Sequence, residues 1–290
     1  MTEWIISNEP VIRLGSFAGI FGLMAIWEIL AARRQLTTGK GKRWLGNLSL
    51  VFLDTLVVRL LFPTAALGMA LMVKDLGWGV LNVVSVPYWA AVLISVVVLD
   101  LAIYLQHVMF HALPALWRLH MVHHADLDLD VTSGSRFHPI EIVLSMLIKL
   151  VVISVLGPPL LAVLIFEVVL NTLAMFNHAN ARIPLALDRV LRWIIVTPDM
   201  HRVHHSVEKP EHNTNFGFNL SCWDRVLGTY KDQPAQGHEG MTIGLKSFRE
   251  RSWQSLPRLL SMPFFKPTES SMTSGSEGSP GEMGKNEPHS

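Results

Sequence analysis

Four apolar stretches, each long enough to cross a lipid bilayer, restrict what this chain can fold into more than any other feature. A helical crossing takes about twenty predominantly apolar residues. Half of the 290 residues are hydrophobic and only 16% are charged, which is too apolar for an ordinary soluble domain. Because backbone polar groups cannot stay unpaired in lipid, we predict an all-α fold, a membrane helical bundle of about four spans. The stretches are residues 11–32, 48–73, 88–110 and 140–176.

The fourth stretch differs from the others because Gly157, Pro158 and Pro159 interrupt it. Proline breaks a helix, and each half is near or just under spanning length. We therefore predict a hairpin of two helices that enters the bilayer and returns to the same side. Residues 1–10 form a short lead before the first span.

A basic loop between the first two stretches sets the predicted orientation. By the positive-inside rule, this loop is cytoplasmic. The second span then leaves the cytoplasm, the third returns, and the hairpin begins and ends there. The polar segments 112–139 and 177–235 accordingly form one cytoplasmic cap. The basic residues are Arg33, Arg34, Lys40, Lys42 and Arg43.

The histidines concentrate in and beside this cap. Eleven of the thirteen lie between His107 and His212. Residues three and four apart share a helix face, so each histidine box presents its imidazoles in one direction. The boxes are His107 with His111, then His120, His123 and His124 in HMVHH, then His201, His204 and His205 in HRVHH.

These eight imidazoles, with His178 as a ninth, indicate a multinuclear metal site in a histidine-rich helical cap. Neutral imidazole is a common ligand of zinc, iron and copper, and nine are too many for one ion and suit two. The alternative, a set of separate core histidines, buries many imidazoles without a shared partner, which is costly. Ligand type alone leaves iron, zinc, manganese and copper open.

Two aspartates are candidates for orienting the imidazoles. Asp100 precedes His107 by seven residues and shares its helix face, and an acidic residue inside an apolar span indicates function. We predict that it accepts a hydrogen bond from His107 or His111. Asp199 either caps the helix of the third box or orients an imidazole.

Other polar residues of the cap are weaker candidates. Asp126, Asp128 and Asp130 alternate too tightly to share a helix face, and we expect a solvated loop rather than ligands. His138 is a ligand, a group that supports one, or the cap of the hairpin helix. His212 lies in a polar loop and is expected at the surface.

The C-terminal part divides into two segments. Residues 241–265 mix apolar and basic side chains, which predicts a helix that either lies on anionic lipid or packs against the cap. Residues 266–290 are rich in Ser, Gly, Glu and Pro and are expected to be disordered. We therefore expect one integral membrane domain over residues 1–265.

The boxes and the sequences around them resemble the fatty acid hydroxylase/sterol desaturase superfamily of membrane non-haem di-iron enzymes. The resemblance covers roughly residues 90–232, the catalytic half, and rests on QHVMFH, LHMVHHAD, TSGSRFHPIE, FNHAN, TPDMHRVHHS and NTNFGFNLSCWDRVLGTY. It implies two iron ions held by all nine histidines named above, dioxygen as co-substrate, and hydroxylation or desaturation of a sterol, fatty acyl or related lipid. Which of the two reactions occurs stays open.

One position departs from that family. Some members carry a further histidine four residues before the position of His178, where this chain has Ala174. The tenth ligand position is then vacant, filled by water, or supplied by another residue such as Asn177.

The sequence also predicts partners. No dinucleotide-binding GxGxxG motif or appended flavin or haem domain is present, so electrons must come from a separate reductase or carrier. The net charge of +1 gives no reason to expect nucleic acid binding. The alternatives are a zinc-dependent membrane hydrolase, which the absence of HExxH disfavours, and a non-catalytic metal- or lipid-binding membrane protein.

Overall fold

The computed structural model describes residues 2–266, and within that range the chain is helical with three isolated β-bridges and no strand. The all-α prediction is confirmed, and the predicted disordered tail lies almost wholly outside the described residues. The α-helices are α1 (Thr2–Leu30), α2 (Lys40–Leu61), α3 (Ala65–Asp75), α4 (Val80–Val83), α5 (Tyr88–Ala112), α6 (Pro114–His124), α7 (Pro139–Leu156), α8 (Leu160–His178), α9 (Leu185–Leu191), α10 (Pro198–His204), α11 (Lys209–His212), α12 (Cys222–Val226), α13 (Gly237–Gly240) and α14 (Leu256–Ser261).

Five helical stretches in the described range are long and apolar enough to cross a membrane: α1, the run from α2 to α4, α5, α7 and α8. Their outer faces carry large apolar side chains that are more than half exposed, among them Leu14, Phe52, Leu93 and Val151. Water would not favour so large an exposed apolar surface, whereas lipid covers it without cost. The predicted membrane bundle is confirmed.

The first two spans differ in detail from the sequence prediction. Helix α1 already begins at Thr2, so the predicted lead is part of the helix. The second span is not continuous, because the chain leaves the helix between α2 and α3 at Pro63, whose ring cannot supply a backbone N–H. The run still makes one crossing, since Gly46 packs against Gln254 of the cap while Gly79 packs against Gly157 at the opposite end.

The interrupted fourth stretch forms the predicted hairpin. His138 caps α7 by accepting a hydrogen bond from the backbone N–H of Ile140. Gly157 ends α7 in the left-handed region at φ +69°, and α8 starts directly after Pro159. The hairpin therefore carries the chain down and back, which brings His178 at the end of α8 to the same side as His138.

The basic loop lies on the side of the histidines, as the orientation argument requires. Glu28, at the end of α1, accepts hydrogen bonds from the backbone N–H groups of Val131 (2.7 Å) and Asn180 (3.0 Å). Arg33 Nε lies 3.1 Å from both carboxylate oxygens of Asp199. The loop is thus packed against the cap and forms part of it.

Three aspartates expected in a solvated loop are instead buried, so that expectation is wrong. Arg43 projects from α2 and donates to Asp126 (2.6 Å) and Asp130 (2.9 Å), and Asp128 accepts from Thr37 and Thr38. Burial alone would raise the pKa of the Asp126 carboxyl, but the charges of Arg43 and Arg136 and the hydrogen bonds from Arg43 and Ser133 lower that pKa below its usual value. The side chain that pairs these carboxylates lies over eighty residues upstream, out of reach of local pattern reading.

Residues 241–265 pack on the cap, and the predicted continuous helix is not formed. Gly244 and Phe248 have positive φ angles of 102° and 60°, which no helix accommodates. A 3-10 turn and the short α14 follow. Gln254 accepts a hydrogen bond from buried Arg136 at 2.7 Å, and Leu259 is fully buried beside Leu50.

Replacing Gly157 by alanine should destabilise the fold. A Cβ there would lie 2.6 Å from Nδ2 of Asn82 and 2.8 Å from the carbonyl oxygen of Trp78, and the left-handed backbone costs a non-glycine residue about 1–2 kcal/mol. Thermal unfolding in detergent should show a lower midpoint for G157A. The matched control is Gly19→Ala in α1, where no atom lies within 4 Å and the midpoint should not fall. Equal midpoints for both variants would contradict the strained turn.

Candidate metal centre

Nine histidines meet beneath the cap in two adjacent groups. One group has five members and the other four, and within each group one ring nitrogen of every member lies within 4.8 Å of the others. These are the nine histidines that the sequence singled out. The first group is His107, His111, His120, His124 and His204; the second is His123, His178, His201 and His205.

Four helices deliver these side chains. The last turns of α5 carry the first pair, α6 carries the second box, α8 ends on His178, and α10 with its C-terminal cap carries the third box. Proline stands at the first position of both α6 and α10, where its missing N–H costs nothing, and Thr197 caps α10. The short helices α6 and α10 therefore begin at defined residues, Pro114 and Pro198.

Each HxxHH box serves both groups rather than pointing in one direction as the sequence predicted. In the second box, His123 belongs to the four-membered group while His124 belongs to the five-membered group. In the third box, His204 and His205 separate in the same way. Consecutive helical residues are about 100° apart around the axis, so a doubled histidine necessarily reaches two sites.

Backbone carbonyls and one carboxylate fix the tautomer of five rings. A carbonyl oxygen only accepts, so the facing Nδ1 must carry the proton and Nε2 must hold a lone pair. The Nδ1 contacts are His107 to Phe216 O (2.7 Å), His204 to Thr214 O (2.8 Å), His178 to Ala174 O (2.7 Å), His123 to Arg136 O (3.2 Å) and His120 to Glu141 Oε1 (2.6 Å).

The free Nε2 atoms face one another at short range. His107 and His120 approach to 3.1 Å, and Nε2 of His178 lies 3.1 Å from those of His123 and His201. Lone pairs at this distance repel unless a shared cation attracts both. Nitrogen ligands about 2.0–2.1 Å from one ion and at right angles to each other also lie about 3 Å apart. The donor set therefore fits a metal ion in each group.

Burial keeps the rings in the form that binds metal. It lowers the pKa of His120 to about 3. Burial, and then the neighbouring imidazoles, lower the pKa of His123, His124, His201 and His204 well below the usual value. Rings outside the membrane spans are thus neutral at physiological pH, and only neutral imidazole ligates.

Glu141 is the supporting carboxylate that the sequence reading missed. It lies buried in the first turn of α7, and its Oε1 is 2.6 Å from Nδ1 of His120. A carboxylate behind a ligating histidine orients the ring and raises its basicity. The signal was available, because Glu141 is an acidic residue opening an apolar span, the criterion that selected Asp100.

The predicted role of Asp100 is wrong. Its Oδ2 accepts from the backbone N–H of Leu220 (3.2 Å) and from Nε1 of Trp223 (2.8 Å), whereas His107 and His111 pair with other groups. Asp100 and His107 lie on the same face of α5, but they are two helical turns apart. Asp100 therefore lies beside the loop at residues 219–223 and not beside the imidazoles. Asp100 therefore anchors the loop whose carbonyl orients His107.

Asp199 does not cap α10, and the imidazole near its Oδ2 is that of His238, at 3.6 Å and outside both groups. Thr197, not Asp199, caps α10 by accepting from the backbone N–H of Met200. The Asp199 carboxylate pairs with Arg33 and Arg202. It therefore ties the basic loop to the helix of the third box.

Three further polar residues are now placed. His138 is the cap of α7 and lies outside both groups. His212 is buried, contrary to expectation, with its ring stacked on Trp117 at 5.3 Å. Asn177 donates to the carbonyl of Phe218, while its buried Oδ1 accepts no hydrogen bond from any described residue.

Two groups of imidazoles at the ends of apolar helices, all but His111 buried, give this membrane protein two candidate metal sites. Residues 92–229 match the fatty acid hydroxylase family, and this match confirms the resemblance to the superfamily.

Individual relatives agree with this assignment. An ornithine lipid hydroxylase of Rhizobium tropici is 34% identical over 151 residues, covering 51% of this chain and 44% of the relative. Human alkylglycerol monooxygenase is 25% identical over 154 residues (51% and 32%), and human cholesterol 25-hydroxylase is 24% identical over 143 residues (48% and 51%). The chain thus spans about half, or less, of the length of these relatives. No solved structure matches it.

Replacing Glu141 by glutamine should weaken metal binding without unfolding the protein. Glutamine keeps the shape but removes the charge behind His120, a loss of about 10–100-fold in affinity at such positions. Metal content per chain, measured against increasing chelator, gives the comparison. Glu250→Gln, on the exposed surface, is the matched control and should retain its metal. Wild-type retention by E141Q would remove Glu141 from the centre.

Proposed function

We propose that the protein is an integral membrane oxidoreductase that hydroxylates or desaturates a lipid with dioxygen at a di-iron centre. The observation that carries this proposal is the presence of two histidine groups, buried except for His111. One has five members and the other four, and their Nε2 atoms face one another. The family match over residues 92–229 supports the same class of chemistry.

The nine histidines would hold the two ions, and Asn177 is a further oxygen ligand or a contact to bound water. When bound, iron and dioxygen supply an oxidant strong enough for an unactivated C–H bond, which side chains alone cannot provide. The chain itself contributes orientation and exclusion of water. Phe137 stacks on His123 at 4.5 Å with the ring planes 8° apart, so one side of the centre is sealed by an apolar face.

The route for a lipid is proposed from the same surroundings. Phe218 lies 5.2 Å from the ring of His107 and belongs to the apolar cluster that also contains Leu99, Ile103 and Ile153 of the spans. The apolar interior of the bundle is therefore continuous with the metal centre. A lipid chain entering from the bilayer would meet the centre without crossing polar protein.

Lipids with an amino acid head group are the first substrates to test. The support is the similarity to an ornithine lipid hydroxylase, at 34% identity. This relative and cholesterol 25-hydroxylase are both named as hydroxylases. We therefore expect hydroxylation rather than desaturation.

The cap and its metal centre are proposed to face the cytoplasm, with electrons arriving from a separate protein. Arg33, Arg34, Lys40, Lys42 and Arg43 all stand at the cap ends of the spans, where the positive-inside rule places cytoplasmic residues.

Metal analysis of anaerobically purified protein tests the centre directly. We expect two iron ions per chain, and uptake of dioxygen when lipid and a reductant are added. Mass spectrometry of the lipid should show the gain of one oxygen. Zinc together with hydrolysis that needs no dioxygen would reject the proposal in favour of a membrane hydrolase.

Removing one ligand from either group should abolish lipid oxidation. His204→Ala tests the five-membered group and His123→Ala the four-membered group. Both variants should still insert in the membrane, because the spans do not depend on these rings. His238→Ala is the matched control, since His238 is a buried histidine outside both groups, and its activity should persist. Turnover by both ligand variants would refute the ligand set.

A further inference from the structure

The metal centre comes nearest to solvent at one place. His111 is half-buried, whereas the other eight histidines of the two groups are buried. Its Nδ1 pairs with the side chain of exposed Asn213 at 3.2 Å, and Trp117 lies 4.9 Å from its ring. We call the surface at His111, Trp117 and Asn213, together with His212 buried against Trp117, the rim.

The rim carries aromatic rings that the proposed chemistry does not use. Trp117 is half-buried, stacks on His212 with the planes 15° apart, and lies 5.3 Å from the ring of His124. His212 belongs to neither metal group. The two rings therefore form a layer between the five-membered group and the outside of the cap.

Basic residues flank the rim on both sides. Lys209 opens α11, three residues before His212, and is exposed without an ion pair among the described residues. Nζ of Lys246 lies 3.8 Å from Oε2 of Glu208, the residue before Lys209, so the two lysines are close together. On the other side, Arg118 follows Trp117 and reaches the carbonyl of Phe265, which places Lys266 next to it.

The described part of the cap as a whole also has more exposed basic than acidic residues. Outside α1 to α5 and the hairpin α7–α8, eight basic residues are exposed against three acidic ones. Such an imbalance attracts a negatively charged partner and speeds its encounter. The basic residues are Arg118, Arg182, Arg189, Lys209, Lys246, Arg251, Arg258 and Lys266; the acidic ones are Asp232, Glu239 and Glu250.

We infer that the rim is the docking site of an acidic one-electron carrier protein, an inference that rests on the proposed function. Hydroxylation converts R–H, O2, two electrons and two protons into R–OH and water; desaturation also consumes two electrons and two protons per O2. Two reduced carriers must therefore each deliver one electron per turnover. Electron transfer slows steeply with distance, and at the rim a docked carrier comes closest to the centre.

A protein fits this surface better than an anionic membrane does. His111 lies one helical turn beyond His107 on the side away from the membrane-embedded part of α5, and α11 lies beyond His111. The rim is therefore set off from the bilayer end of the cap. A soluble acidic partner fits this exposed, basic position, and the vesicle measurement below tests the lipid alternative.

The test measures binding of a plant-type [2Fe–2S] ferredoxin, an acidic one-electron carrier, to the full chain in nanodiscs of uncharged lipid. Lys209→Glu should weaken binding about tenfold at low ionic strength, because it places like charges opposite each other. Arg182→Glu is the matched control. It makes the same charge change beside the α1–α2 loop, where the backbone of Arg182 pairs with Ala31, and should bind as the wild type does.

Binding is measured with the protein as purified, and this measurement does not require turnover at the centre. Failure of dithionite-reduced wild-type protein to oxidise lipid would count against the proposed function alone. Equal weakening by both variants would mean that only net charge matters, and no weakening by K209E would mean that the carrier docks elsewhere. Either result overturns the docking site, as would K209E weakening attachment to phosphatidylglycerol vesicles but not to ferredoxin.

Discussion

The structure depends on neutral imidazoles whose lone pairs are made to face one another. Backbone carbonyls of Phe216, Thr214 and Ala174 hold the protonated Nδ1 atoms of three rings and leave each Nε2 pointing inward. Without a cation this arrangement is repulsive, and burial prevents relief by protonation. The two groups therefore fit bound metal ions, and nearby loops hold hydrogen-bond acceptors behind the rings.

The helical hairpin makes that convergence possible. Because α7 and α8 return the chain to the side they left, His120 and His178 belong to adjacent groups although a membrane segment separates them in sequence. Glu141, at the start of the hairpin, bonds directly to His120. The membrane anchor and the metal site are thus one structural unit, and the apolar interior reaches the centre through Phe218.

Buried ion pairs join the N-terminal spans to the cap. Arg43 of α2 satisfies Asp126 and Asp130, and Arg33 pairs with Asp199 of α10. Removing Arg43, which is buried together with both carboxylates, leaves charge uncompensated in a low dielectric, which costs about 3–5 kcal/mol. The residues that hold the cap in place therefore come both from the N-terminal segments and from residues 92–229, the part of the chain that matches the fatty acid hydroxylase family.

The sequence alone determined the class of fold, the hairpin and the nine convergent histidines, because hydropathy, proline and i,i+3/i+4 spacing act over short distances. The sequence did not determine which side chains contact each other. Asp100 turned to Trp223 rather than to histidine, His212 was buried against Trp117, and the three cap aspartates were buried by Arg43. The division of each box between two groups likewise emerged only from the packing of α5, α6, α8 and α10. These contacts join residues far apart in the chain, and only tertiary structure fixes the directions in which their side chains meet.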